Sequence, residues 1–236
     1  MESEELKVLF DQHAAGYDDQ QAKMAPIVEG MYFALDSVLC DLPHDARILC
    51  VGSGTGAEIA HLAKKFPGWR FTAVEPSSAM LDVCRHRAEK EGFIVRCNFH
   101  EGYLDSLPGE DTHDAATCFL VSQFILDQGA RSKFFRAIAD RLHPGGILAS
   151  SDLASGAAPY EYDALLHSWL NMMSAVGVTP GGLEQMRVAY ARDVAVLPPG
   201  VVASIIEAGG FETPVRFFQA GLLHAWFARH SSGNTA

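Results

Sequence analysis

The chain has 236 residues, 48% of them hydrophobic and 20% charged, which fits one domain with a well-buried core and argues against general disorder. Its 18 basic against 29 acidic residues leave a net charge of -11, which disfavours nucleic acid as a partner because phosphate binding needs a clustered basic face. No apolar run approaches the length of a membrane span, and the acidic start Met1-Glu-Ser-Glu-Glu5 is the opposite of a basic signal peptide, so a cytoplasmic protein is expected.

Taken in order, Glu2 to Gln12 has the pattern of an amphipathic helix, and a polar segment with His13, Gly16 and Tyr17 follows. Pro26 suits the start of a second helix, along which Ile27, Met31, Leu35 and Val38 recur at helical spacing. These pieces, residues 1–45, precede the first strand and can fold over a ligand crevice.

Ile48 to Val51 is a buried strand that runs into Gly52, Gly54 and Gly56, and a helical run from Ala57 to Phe66 comes next. Strand, glycine turn and helix in succession form a nucleotide cradle, because such a turn needs backbone angles a Cβ forbids and lets a ligand approach the main chain. A second apolar strand, Trp69 to Val74, ends at Glu75, whose carboxylate can accept both hydroxyls of a ribose. Spacing does not choose the ligand: Gly52, Gly54 and Ala57 also satisfy the dinucleotide pattern, so NAD stays open at this point.

Ser77 or Ser78 can cap a helix that continues to Lys90, with Met80 in its first turn. Phe93 to Phe99 reads as a third strand leading into the loop His100 to Pro108, and Asp114 to Leu120 as a fourth. A helix from Arg131 to Leu142, closed by Pro144-Gly-Gly146, precedes a fifth strand, Ile147 to Ser151, and then Asp152. This alternation predicts an α/β fold with a doubly wound, parallel sheet and a ligand outside the carboxyl ends of its strands.

Residues 154–197 break the rhythm. An aromatic-rich helix pattern with Tyr160, Tyr162, Trp169, Met172 and Met173, a turn at Pro180-Gly-Gly182 and a second helical run through Tyr190 predict a helical insertion, a lid over the crevice. Core packing or a homodimer interface is the other use of that surface. After Pro198-Pro-Gly200 come a helix, Val201 to Ala208, and two strands, Thr213 to Gln219 and Leu222 to Arg229, so close together that the last is antiparallel. Residues 231–236 read as a disordered tail. The five cysteines, Cys40, Cys50, Cys84, Cys97 and Cys118, show no C-x-x-C spacing and imply neither zinc nor disulfides.

With the strand-GSGTG-helix unit, Glu75, the Leu107-Pro108 loop, the Pro144-Gly-Gly146 turn and the closing Gly210-Phe211 hairpin, the chain resembles the class I S-adenosylmethionine-dependent methyltransferases from about residue 10 to residue 229. The resemblance implies a single Rossmann-like domain over residues 1–230 with a seven-stranded, mostly parallel sheet. It implies S-adenosyl-L-methionine as cofactor and S-adenosyl-L-homocysteine as product. Gly52, Ser53, Gly54 and Gly56 would lie beside the methionine moiety and Glu75, followed by Pro76, would hold the ribose. Met80 and Gly102-Tyr103-Leu104 would form the adenine pocket, with Tyr103 where many members place Asp. Phe119 and Leu120 would stand between cofactor and substrate.

The segments Gly210-Phe-Glu212 and Phe217-Phe-Gln-Ala220 are similar to the end of the carboxy-S-adenosylmethionine synthases, which feed tRNA modification. Those enzymes grip the extra carboxylate with an arginine shortly before the Gly-Phe pair, and here no arginine lies between Arg192 and Arg216. Methyl transfer to a small-molecule acceptor is the main reading. A carboxylated-cofactor synthase, a non-catalytic cofactor-binding protein and an NAD-dependent reductase are its rivals. No metal is required, and His13, Tyr17, Asp152, His167 and His224 are the candidate bases.

Overall fold

The computed structural model describes residues 3–109, 111–173 and 180–231. Two helices, α1 (Ser3–Gln21) and α2 (Ala25–Leu39), precede β1 (Arg47–Val51), α3 (Ala57–Lys65), β2 (Arg70–Glu75), α4 (Ser78–Lys90), β3 (Cys97–Glu101), β4 (His113–Phe119), α5 (Gln128–Ala139) and β5 (Leu142–Leu153). Then follow α6 (Pro159–Met173), α7 (Pro180–Asp193), α8 (Pro199–Ala208), β6 (Val215–Ala220) and β7 (Leu223–Arg229). The seven strands lie in the order β3-β2-β1-β4-β5-β7-β6, parallel except β7, which runs antiparallel to both β5 and β6. An NAD-binding Rossmann sheet has the order 3-2-1-4-5-6. The inserted antiparallel strand therefore separates this chain from that family.

Both faces of the sheet are covered, so its strands bury alternate residues on opposite sides. On β1, Ile48 and Cys50 join a core with Leu35, Ile59, Leu62 and Leu81, while Leu49 and Val51 join another with Phe135, Ile138, Val202 and Trp226. Reversal of strand order between β1 and β4 opens a crevice at the carboxyl ends. Every loop expected at the ligand lies there.

Several boundaries differ from expectation. The first helix does not stop at Gln12 but continues to Gln21. Ile94–Arg96 is a 3-10 turn and the third strand begins only at Cys97; the Arg96 guanidinium reaches back to the carbonyls of Ala63, Phe66 and Trp69 and pins that turn. Asp127 caps α5, accepting from the Ala130 amide at 2.7 Å, so the helix starts at Gln128 and Leu142 already belongs to β5. Pro180-Gly-Gly182 opens α7 instead of forming a turn, as proline at a first helical position allows. The chain between α6 and α7, and the tail expected to be disordered from 232 onward, lie outside the described residues.

Candidate active site

At the end of β1, Gly52 takes φ +70°, and a Cβ there would stand 2.4 Å from Val121 Cγ2. Gly56, at φ +77°, caps α3, and its Cβ would stand 2.4 Å from Cys84 Sγ. These glycines let the loop turn left-handed and pack against the β4 exit and α4. Between them, the Gly54 amide donates to Glu75 Oε2 at 2.9 Å, and the Ser77 amide donates to Glu75 Oε1 at 3.0 Å. Burial pushes the Glu75 carboxyl above its ordinary value, and these two amides pull it back. The acid thus bridges the glycine loop and the start of α4, where Ser77 caps the helix by accepting from the Met80 amide at 3.1 Å.

A cavity of about 750 Å³ opens beside this bridge. Gly52, Ser53, Gly54, Glu75, Pro76, Met80, Gly102, Tyr103, Leu104, Phe119 and Leu120 all line it. Gly56 lies outside the lining and its role is in packing. Ser53 Oγ is buried without a hydrogen-bond partner, a polar atom left for a ligand in a closed cradle. Leu120 has φ 57°, the one positive φ among described non-glycine residues, which marks the β4 exit as strained. These features fit an adenosine-bearing cofactor: paired backbone amides order the acid, and an open wall faces it.

The roof comes from the two N-terminal helices. Leu6, Phe10 and Tyr17 of α1 and Val28, Met31 and Tyr32 of α2 face the cavity. Two aspartates fasten α1: Asp11 accepts from Ser77 Oγ at 2.6 Å, and Asp18 accepts from Thr55 Oγ1 at 2.7 Å and pairs with Arg87. The Tyr17 hydroxyl is held above its ordinary pKa, first by burial and then by the charges of Glu75 and Asp18.

Of the candidate bases, only Tyr17 lines the cavity. Asp152 is fully buried elsewhere, 2.9 Å from Arg131 and accepting from Ser122 Oγ at 2.9 Å. His13 and His167 are on exposed helix surface, and His224 is buried on β7 with Nδ1 3.0 Å from the Leu222 carbonyl. No described residue of 154–197 lines the cavity either. Leu166, Trp169 and Leu170 instead pack on Met24, Met31 and Leu223, behind the roof, and Trp169 Nε1 donates to the Tyr190 hydroxyl at 3.1 Å.

Several lining residues were not among the site residues expected from sequence, and the one with the most distinct chemistry is a carboxyl. Glu58, in the first turn of α3, is buried against the cavity, accepts from Thr117 Oγ1 and has the Cys50 thiol beside it. Burial pushes its carboxyl up to about 7. Its helical phase carried the signal, since Glu58 lies four residues before the buried Leu62 and therefore on the inward face.

A family model described as a methyltransferase domain matches residues 48–146. The chain is 31% identical over 108 residues to the erythromycin 3''-O-methyltransferase of Saccharopolyspora erythraea, a match over 45% of this chain and 34% of that protein. It is 32% identical over 108 residues to the ubiquinone biosynthesis O-methyltransferase of Methylocella silvestris, over 45% of this chain and 40% of that protein. The matched stretch thus spans little more than a third of these curated relatives. Among solved structures, PigF with SAH superposes with a TM-score of 0.67 at 19% identity, covering 95% of this chain and 61% of that one, which is likeness of fold. Residues 48–146 thus match a methyltransferase domain, and the strand order of the sheet is that of the class I S-adenosylmethionine-dependent methyltransferase fold.

Proposed function

We propose that the protein transfers a methyl group from S-adenosylmethionine to a small-molecule acceptor. The observation that carries this reading is the cavity of about 750 Å³ that adjoins the Gly52 to Gly54 loop and Glu75 under the α1–α2 roof. Its volume falls in the usual range for small-molecule sites, about 300–1,000 Å³. The two relatives named as O-methyltransferases support hydroxyl oxygen as the accepting atom.

In this reading Glu75 receives the ribose hydroxyls on lone pairs left free by its two amide partners. Ser53 and Gly54 meet the methionine moiety, and Met80 with Gly102, Tyr103 and Leu104 flank the adenine. The cofactor supplies an electrophilic methyl on a sulfonium. The chain's own residues keep the acceptor dry and aligned: Phe119, Leu120 and Val121 form the wall at the β4 exit, and Phe10, Val28 and Met31 exclude water from above. The helices α6 and α7 buttress that roof from behind.

Calorimetric titration with S-adenosylhomocysteine, S-adenosylmethionine and NAD tests the cofactor, followed by mass spectrometry of acceptor mixtures incubated with S-adenosylmethionine. Binding of the first two without NAD, and an acceptor heavier by one methylene, are the expected results. Binding of NAD alone, or cofactor binding with no methylated small molecule, would overturn the reading.

A further inference from the structure

Glu58 is unusual among the lining residues. Glu75 has two backbone amides and Asp18 has Arg87, but Glu58 has only the Thr117 hydroxyl and the Cys50 thiol and forms no ion pair among the described residues. A buried carboxyl costs free energy unless a donor or a cation compensates it. This one faces a ligand cavity, on the wall that also carries Tyr32 and Phe119, whose ring centres are 6.2 Å apart. Thr117 on β4 fixes the carboxyl from below, so its position is set before any ligand arrives.

We propose that Glu58 is the catalytic residue that receives the acceptor, and that the acceptor is a hydroxyl on a planar, apolar ring, a phenol or enol. This rests on the methyl-transfer reading above. An acceptor atom must lie in line with a cationic sulfonium. A second cation there is repelled, whereas a hydroxyl that surrenders its proton faces that charge as an anion. In the step, the acceptor O–H bond breaks and the proton passes to a Glu58 carboxylate oxygen. The acceptor oxygen forms a bond to the methyl carbon as the carbon–sulfur bond breaks, leaving the electron pair on sulfur as a neutral thioether. The proton on Glu58 then returns to solvent when the products leave. A carboxyl titrating near neutrality is matched to a phenol far better than to an aliphatic alcohol. Tyr32 and Phe119 supply the flat apolar contact.

The test uses the full chain saturated with S-adenosylhomocysteine and two probes, 4-nitrophenol and its methyl ether 4-nitroanisole, measured by calorimetry on wild type, Glu58→Gln and Glu58→Leu. Wild type should bind the phenol about tenfold more tightly than the ether, Glu58→Leu should bind both equally, and Glu58→Gln should fall between. S-adenosylhomocysteine affinity should be the same in all three. Equal binding of phenol and ether by wild type, preference retained in Glu58→Leu, tighter binding of 4-nitrobenzylamine than of the phenol, or no binding of either ring would each overturn the assignment. Failure of S-adenosylhomocysteine itself to bind would instead overturn the methyl-transfer reading on which it rests.

Discussion

Thr55 Oγ1 donates a 2.7 Å hydrogen bond to Asp18, which joins the glycine loop to the first helix across 37 residues of sequence. Asp18 also pairs with Arg87 of α4, so one carboxylate holds three elements together. Asp18→Ala should weaken S-adenosylhomocysteine binding about tenfold, the equivalent of one charge-assisted hydrogen bond. Thr55→Val should cost less, because Arg87 still holds Asp18. Calorimetry checks both, and affinities unchanged from wild type would remove α1 from the cofactor's surroundings.

Glu75→Ala should lose cofactor affinity by at least about tenfold and also lower stability by about 1–3 kcal/mol, because the Gly54 and Ser77 amides lose their acceptor. Glu75→Gln keeps one acceptor oxygen and should recover part of the stability but little of the affinity. Urea unfolding and calorimetry on the same samples separate the two effects.

Gly56→Ala should destabilise the protein by about 2–3 kcal/mol, since it combines a left-handed backbone with a Cβ 2.4 Å from Cys84 Sγ. Cys84→Ala in the same chain should relieve the clash and leave the backbone strain. A double mutant as unstable as the single one would show that strain dominates.

Arg131→Met leaves Asp152 buried without its cation and should cost about 3–5 kcal/mol. Replacing both residues by apolar ones should cost much less. As neither lines the cavity, cofactor affinity of the folded fraction should stay at the wild-type value.

The Glu58 carboxyl holds its proton up to about pH 7 in the folded chain, while an unfolded glutamate releases it near 4.5. Between those values the native state binds more protons, so stability is fully present below pH 4.5 and falls as pH rises, by about 3 kcal/mol in all. Glu58→Gln removes this dependence. Its stability relative to wild type should be more favourable at pH 8 than at pH 5, measured as paired urea midpoints, and an identical difference at both pH values would refute the shift.

The central unit was legible because it is local. Arg47 to Glu58 carries strand, turn and helix within twelve residues, and Glu75 ends the next strand, so alternation alone brings them to one edge. What α1 covers, by contrast, is decided by Asp11 and Asp18 meeting Ser77, Thr55 and Arg87, pairings between distant polar residues that no periodicity announces. Asp152 stood in a promising place after the fifth strand, but its chemistry is settled by Arg131, which the sequence pattern showed only as the first residue of a helix. Between residues 154 and 197 the described chain holds the helices α6 and α7, yet the apolar face of α6 meets the outside of the roof.

Helix α2 rests on the closing hairpin: Gly30 lies against the Phe218 ring, and Met31 shares a core with Leu222 and Leu223. Elements separated by almost the whole described chain must therefore meet before the cavity has its upper wall. Contacts of such long range slow folding, because loop-closure entropy is lost before they form. The parallel strands and glycine loop can assemble first, but a tight ligand site exists only once the hairpin is in place. Ligand affinity therefore reports completion of folding, and S-adenosylhomocysteine added during refolding will trap the finished state without accelerating the steps that lead to it.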